Sequence, residues 1–179
     1  MNQSKQPGLV ALSLKTISVH TITYMAVGLL AFKLLDYTTN FAAPELACWM
    51  RQTDDPVVML GPLFQPVRGL IFGLAFYPIR ETLFGQKRGW LVLWWLLIAL
   101  GILSTFGPAP GSIEGMVYTI LPVSADTYLE ITIQSLLLSV MLTYWVNNPE
   151  KRWLNWVLWT MFAIVILLPI MGLLTGSIA

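Results

Sequence analysis

The chain has 179 residues, of which 56% are hydrophobic and only 11% charged, and its mean hydropathy is +0.71. A soluble domain covers itself with about 25% charged residues, so these proportions exclude a water-soluble globule, and with it a disordered, collagenous or disulfide-stapled chain. A net charge of +1 excludes nucleic acid as a partner, which takes a concentrated basic surface, and the single cysteine, Cys48, allows neither an internal disulfide nor a cysteine metal site.

Crossing roughly 30 Å of hydrocarbon takes about 20 mostly apolar residues. Five stretches qualify: residues 16–35, 61–84, 90–106, 127–146 and 153–174. Each is predicted to be a helix, because lipid offers no partner to an open strand edge and none of the stretches alternates as a barrel strand does. The predicted fold is therefore all-α, a polytopic transmembrane helical bundle in which residues 1–179 form one membrane domain.

In the first span His20, the only histidine, shares a polar stripe with Thr16 and Thr23. An interhelical hydrogen bond is the plain reading. A haem or pigment ligand, or a proton carrier, is the functional one, and a bis-histidine haem would draw its second ligand from another copy of the chain. Lys33 and Asp36, three residues apart near the outer end, share one side of the helix and read as a local ion pair or, facing inward, as members of an outer polar cluster. Small residues at Ala43 and Ala47 follow only after a very long apolar run, so the first span is read as retained and not as a cleaved signal peptide.

The second span contains Pro62, Pro66 and Pro78, and its true helix is expected to begin near Pro66 after a short interfacial turn. Gln65, Arg68 and Phe72 fall on one helical face. An ionisable group within a span is costly and usually points into the bundle, so Arg68 reads either as a snorkelling or paired cation or as a binder of an anion or lipid headgroup. Gly69 and Gly73 form a G-x-x-x-G pattern, which lets helices approach closely, either inside the bundle or between copies.

After the third span, the proline- and glycine-rich segment 106–116 stops the helix, and Ser112 is expected to cap a short turn containing Glu114. That segment is either a rigid outer loop or a lid whose acidic contact is Glu114. The apolar run 116–121 is too short to span. On the fourth span Asp126, Glu130 and Gln134 recur every four residues as a polar stripe, and Thr132, Ser135 and Ser139 give it a side of small residues. Glu130 and Arg68 fall at similar depths and are expected to approach one another. They form either an ion pair tying two helices together, or an outward-facing cavity in which Arg68 fixes an anionic group and Glu130 relays a proton.

Seven of the ten lysines and arginines lie in the amino-terminal arm and in the second and fourth loops (Lys5, Lys15, Arg80, Lys87, Arg88, Lys151 and Arg152). By the positive-inside rule the amino terminus is cytoplasmic and the carboxyl terminus outside, with Trp90, Trp145 and Trp153 as an inner aromatic belt. A bacterial inner membrane is the simplest location. The nucleophile-elbow, zincin and phosphate-loop motifs are missing, so no enzymatic activity is expected, and nothing in the sequence demands a cofactor. Because Gln65, Arg68, Glu130 and Gln134 converge at one depth, the function expected is ligand binding or transport of a small anionic or protonatable solute by a lipid-embedded homo-oligomer. The alternative is a non-catalytic accessory or assembly subunit contacting partner membrane subunits.

Overall fold

The computed structural model describes residues 6–120 and 125–176; Lys5, Leu121 and the side chain of Asp126 lie outside the described set. Every regular element among the described residues is a helix. α1 (Leu9–Leu34) leads into three short helices, α2 (Tyr37–Ala42), α3 (Pro44–Ala47) and α4 (Pro56–Met59). They are followed by α5 (Gly61–Phe76), α6 (Arg80–Leu83), and α7 (Gly89–Ile98), which runs on as a π-helical turn over Ala99–Leu103. The chain then forms α8 (Ile113–Tyr118), α9 (Ala125–Asn147) and α10 (Arg152–Leu174). Three helices are long and apolar enough to cross a membrane: α1, α9 from Tyr128 onward, and α10. α7 with its π turn is apolar but shorter.

α1 is the central helix, packed on α5, α9 and α10. Its buried face is unusually polar, with Ser13, Thr16, Ser18, His20, Thr21 and Thr23 all shielded. Several of these hydroxyls are satisfied within the helix itself: Thr16 donates to the Leu12 carbonyl at 2.8 Å, Ser18 to Leu14 at 3.1 Å and Thr23 to Val19 at 2.9 Å. Hydroxyls that bond back in this way leave a smooth surface of small side chains. α5 lies against that surface through its two glycines. A Cβ on Gly69 would stand 2.6 Å from the Ile17 Cα, and one on Gly73 would stand 2.7 Å from the Ser13 Cα. Apolar burial drives little association in lipid, so close backbone approach and interhelical hydrogen bonds hold such a pair. The G-x-x-x-G pattern thus serves packing within the bundle.

The end of the bundle at which α1 starts and α9 finishes, called inner below, carries the compact core. Leu12, Leu83, Phe84, Leu93, Leu142 and Trp145 are all almost wholly buried there. The expectation of an aromatic belt is corrected at Trp145. It is fully buried, donates from Nε1 to the Asn155 Oδ1 at 2.6 Å, and meets the edge of Trp159, whereas Trp153 is exposed. Lys15 reaches back over the Trp145 ring and donates to its carbonyl at 3.1 Å. α1 begins at Leu9, well before residue 16, and the long stem of Lys15 delivers its charge to an acceptor at the bundle end.

The second span also departs from expectation. α5 starts at Gly61 and accommodates Pro66, whose missing N–H would have served only the carbonyl of residue 62 at the helix start. It stops at Phe76, because Pro78 cannot continue it, and the rest of the stretch folds separately as α6. α6 and α7 are locked by Gly89, where a Cβ would collide with the Leu83 carbonyl at 1.8 Å, and Asn147 accepts the Gly85 N–H at 2.7 Å. The helix over the third stretch ends at Leu103, not residue 106.

Candidate ligand-binding cavity

Where α1 leaves the core at its outer end, the bundle opens. The chain reverses immediately after α1 because Asp36 takes a left-handed conformation, φ 44° and ψ 58°. Aspartate tolerates that region better than most residues, and Asn40 fastens the turn by donating from Nδ2 to the Leu35 carbonyl at 2.5 Å. The reversal carries α2 back over the bundle and brings the Tyr37 hydroxyl onto the Glu130 carboxylate of α9, to which it donates a hydrogen bond. Tyr37 stacks on Phe41 one turn later, with ring centroids 5.0 Å apart.

Behind this contact lies a cavity of about 670 Å³, within the range of small-molecule sites. One wall is the outer half of α1, including Tyr24, Met25, Gly28 and Phe32. The first loop roofs it with Tyr37, Phe41, Trp49, Met50 and Met59, and α5 and α9 close it with Pro62 and Glu130. The roof is braced by polar contacts of its own. Gln52 donates to the Phe41 carbonyl at 3.1 Å, and Arg51 pairs with Asp55 at 2.9 Å. Asp55 also caps α4 by accepting the Val57 N–H at 2.8 Å. That backbone donor, with the Arg51 guanidinium, holds the Asp55 carboxyl below the usual carboxylate range. Cys48, at the end of α3 beside Trp49, is exposed.

Inward of the cavity a second polar contact joins α1 to α5. The His20 Nε2 and the Gln65 Oε1 are 3.1 Å apart, and the Gln65 Nε2 donates to the Gly61 carbonyl at 3.2 Å. In that arrangement the imidazole carries its proton on Nε2, and Nδ1 is buried with no hydrogen-bond partner. The Phe72 ring meets the His20 ring edge-on at 5.0 Å, and the Arg68 guanidinium lies over Phe72 at 5.6 Å.

The structure therefore divides the candidate residues. Glu130 lines the cavity. Gln65 is buried on His20 instead, and Gln134 is half-buried outside the cavity wall. Arg68 is exposed, and the expected Arg68–Glu130 pair is corrected: the ion pairs among the described residues are Arg51–Asp55 and Arg80–Glu81. The Lys33–Asp36 pair fails likewise, because α1 ends at Leu34 and the left-handed turn removes Asp36 from the helical register; both residues are exposed. Glu114 is exposed on α8 and is not a lid contact. Its short helix is capped as expected, with the Ser112 Oγ accepting the Gly115 N–H at 2.9 Å, but it is tied to α9 by the Tyr128 hydroxyl on the Gly111 carbonyl at 2.7 Å, away from the cavity. His20 leaves no room for a haem or pigment: it is 1% exposed, with Phe72 edge-on against the ring at 5.0 Å. Among the described residues no three His, Cys, Asp or Glu side chains cluster to hold a metal ion.

Sequence reading singled out none of the aromatic wall. Two signals for it were present. Tyr24 follows His20 by one helical turn on the same face, and Tyr37 and Phe41 share a four-residue spacing in a loop otherwise short of periodicity. No protein family, curated protein or solved structure matches the chain.

Proposed function

We propose that the chain is a multi-pass protein of a bacterial inner membrane, with five crossings and a cytoplasmic amino terminus, that binds or transports a small protonatable solute through its outer cavity. The observation that carries this reading is the Glu130 carboxylate on the wall of a cavity large enough for an organic molecule. A carboxylate half-withdrawn into a membrane protein is expensive unless it has work to do. Of the two solute classes the sequence suggests, the anionic one loses support, since Arg68 is not on the cavity wall and Arg51 is committed to Asp55. α5 and α7 are shorter than a straight crossing requires, and in the five-crossing topology the short helices α4 and α6 extend α5 while the π-helical turn over Ala99–Leu103 extends α7.

The alternative is an accessory subunit, favoured by the bareness of α10: Trp153, Trp156, Leu167 and Met171 are all exposed. Native mass spectrometry of the protein released gently from its own membrane separates the two. A retained small molecule that is lost in Glu130→Gln supports binding. Stoichiometric partner chains with no such molecule support the accessory role instead.

A further inference from the structure

We infer that the ligand of the outer cavity is an amphipathic organic cation, its ammonium-type head against Glu130, Tyr24 and Tyr37 and its apolar portion along Trp49, Met50 and Met59. The inference rests on the cavity being a binding site, as proposed above, and adds the chemistry of its occupant.

Charge is the first argument. Glu130 and Arg51 are the charged residues on the wall, and Arg51 is paired with Asp55 at 2.9 Å in an exposed contact of the first loop. The Glu130 carboxylate receives the Tyr37 hydroxyl, which occupies one of its roughly four acceptor positions. Glu130 disfavours an anion beside it, and a neutral ligand would leave the carboxylate's charge unmatched on a largely apolar wall.

The wall material is the second argument. Aromatic rings present a negative face that attracts cations, best when water is excluded, and a ring of them is the usual receptacle for an alkylated ammonium. Methionine thioethers are polarisable and adapt to an irregular alkyl chain. Both kinds of side chain meet in the first-loop roof, with Tyr37 stacked on Phe41 and Trp49 adjoining Met50. A cavity of about 670 Å³ admits a head and a chain of several carbons together.

Arg68 makes the inference sharp. Its guanidinium lies over Phe72, outside the cavity wall. That placement keeps the Arg68 cation off the wall that Glu130 occupies.

The test uses the full chain in lipid nanodiscs, with empty nanodiscs as reference and radiolabelled hexyltrimethylammonium as the probe. Hexanesulfonate, of opposite charge, and the neutral 1-octanol are each radiolabelled in turn as further probes and are also used unlabelled as competitors. Saturable binding of the cation at one site per chain is expected, weakened at least about tenfold in Glu130→Gln. Arg68→Ala, at an exposed position, should leave binding unchanged or tighten it, and hexanesulfonate should not compete. Glu130→Gln protein that elutes as an aggregate would shift the decision to Arg68→Ala and to Trp49→Leu, which should weaken the cation and spare octanol. A preference for hexanesulfonate, or loss of binding in Arg68→Ala, overturns the cation assignment. Saturable octanol binding with no advantage for the cation also overturns it while leaving the cavity a binding site. Absence of saturable binding by all three probes overturns the assignment and the binding reading together.

Discussion

His20 and Gln65 show how a polar group is kept inside an apolar bundle. With its Nδ1 already unpartnered, His20 depends on the Gln65 contact for its one side-chain hydrogen bond. Gln65→Leu removes it and is expected to lower stability by about 1–3 kcal/mol, measured by thermal unfolding in detergent, with His20→Phe recovering part of the loss in the double variant. At Asp55 the consequence is a pH dependence. Its carboxyl sits below the ordinary value of 3.8, so the cap and the Arg51 pair are intact above that pH and fail as pH falls through the lower, folded value. Limited proteolysis of the first loop should accelerate only in that acid range, and Asp55→Ala should be susceptible at neutral pH as well. Of the two carboxylates that organise the site, only one stood out in the sequence. Glu130 was legible because an acid within an apolar helix is conspicuous, whereas Asp55 sat among ordinary loop charges and acquired its role only from the turn that follows it.

Among the helices, the two long carboxyl-terminal ones were the readable ones. Stretches predicted over 127–146 and 153–174 emerge as Ala125–Asn147 and Arg152–Leu174. Where hydropathy is interrupted the boundaries moved, for reasons hydropathy does not contain: Lys15 finds a carbonyl at the bundle end, and Pro78 severs α6 from α5. The first loop was illegible because helices of four to six residues are too short to display a period. Two glycines give opposite tests of the α1 helix environment. Gly73→Leu must force α5 from α1, since its Cβ alone meets the Ser13 Cα at 2.7 Å, and a loss of at least about 1–3 kcal/mol is expected in the same unfolding assay. Gly28 lines the cavity, with nothing within 4 Å of an added Cβ. Gly28→Leu should therefore hold or raise stability, by up to about 1 kcal/mol, while filling the cavity and reducing ligand binding.

Taken whole, the molecule is asymmetric along its length. Hydrophobic packing concentrates at the inner end around Trp145, while the outer end is propped open by a turn, a tyrosine–carboxylate contact and a loop roof. Burial is uneven across the bundle too: 44% of the most apolar window of α1 is buried, against 17% for α10. α10 is thus the peripheral helix, the one most open to lipid or to another chain. That division follows from α1 bearing the polar, small-residue face around which the others gather. The sole thiol of the chain happens to stand on the roof. Because Cys48 is exposed beside the cavity-lining Trp49, the native protein carries its own address tag: under the proposed topology, a membrane-impermeant maleimide added to intact cells should label it without any engineered residue. Labelling that occurs only after the cells are broken would invert the topology and move the cavity mouth to the cytoplasmic side.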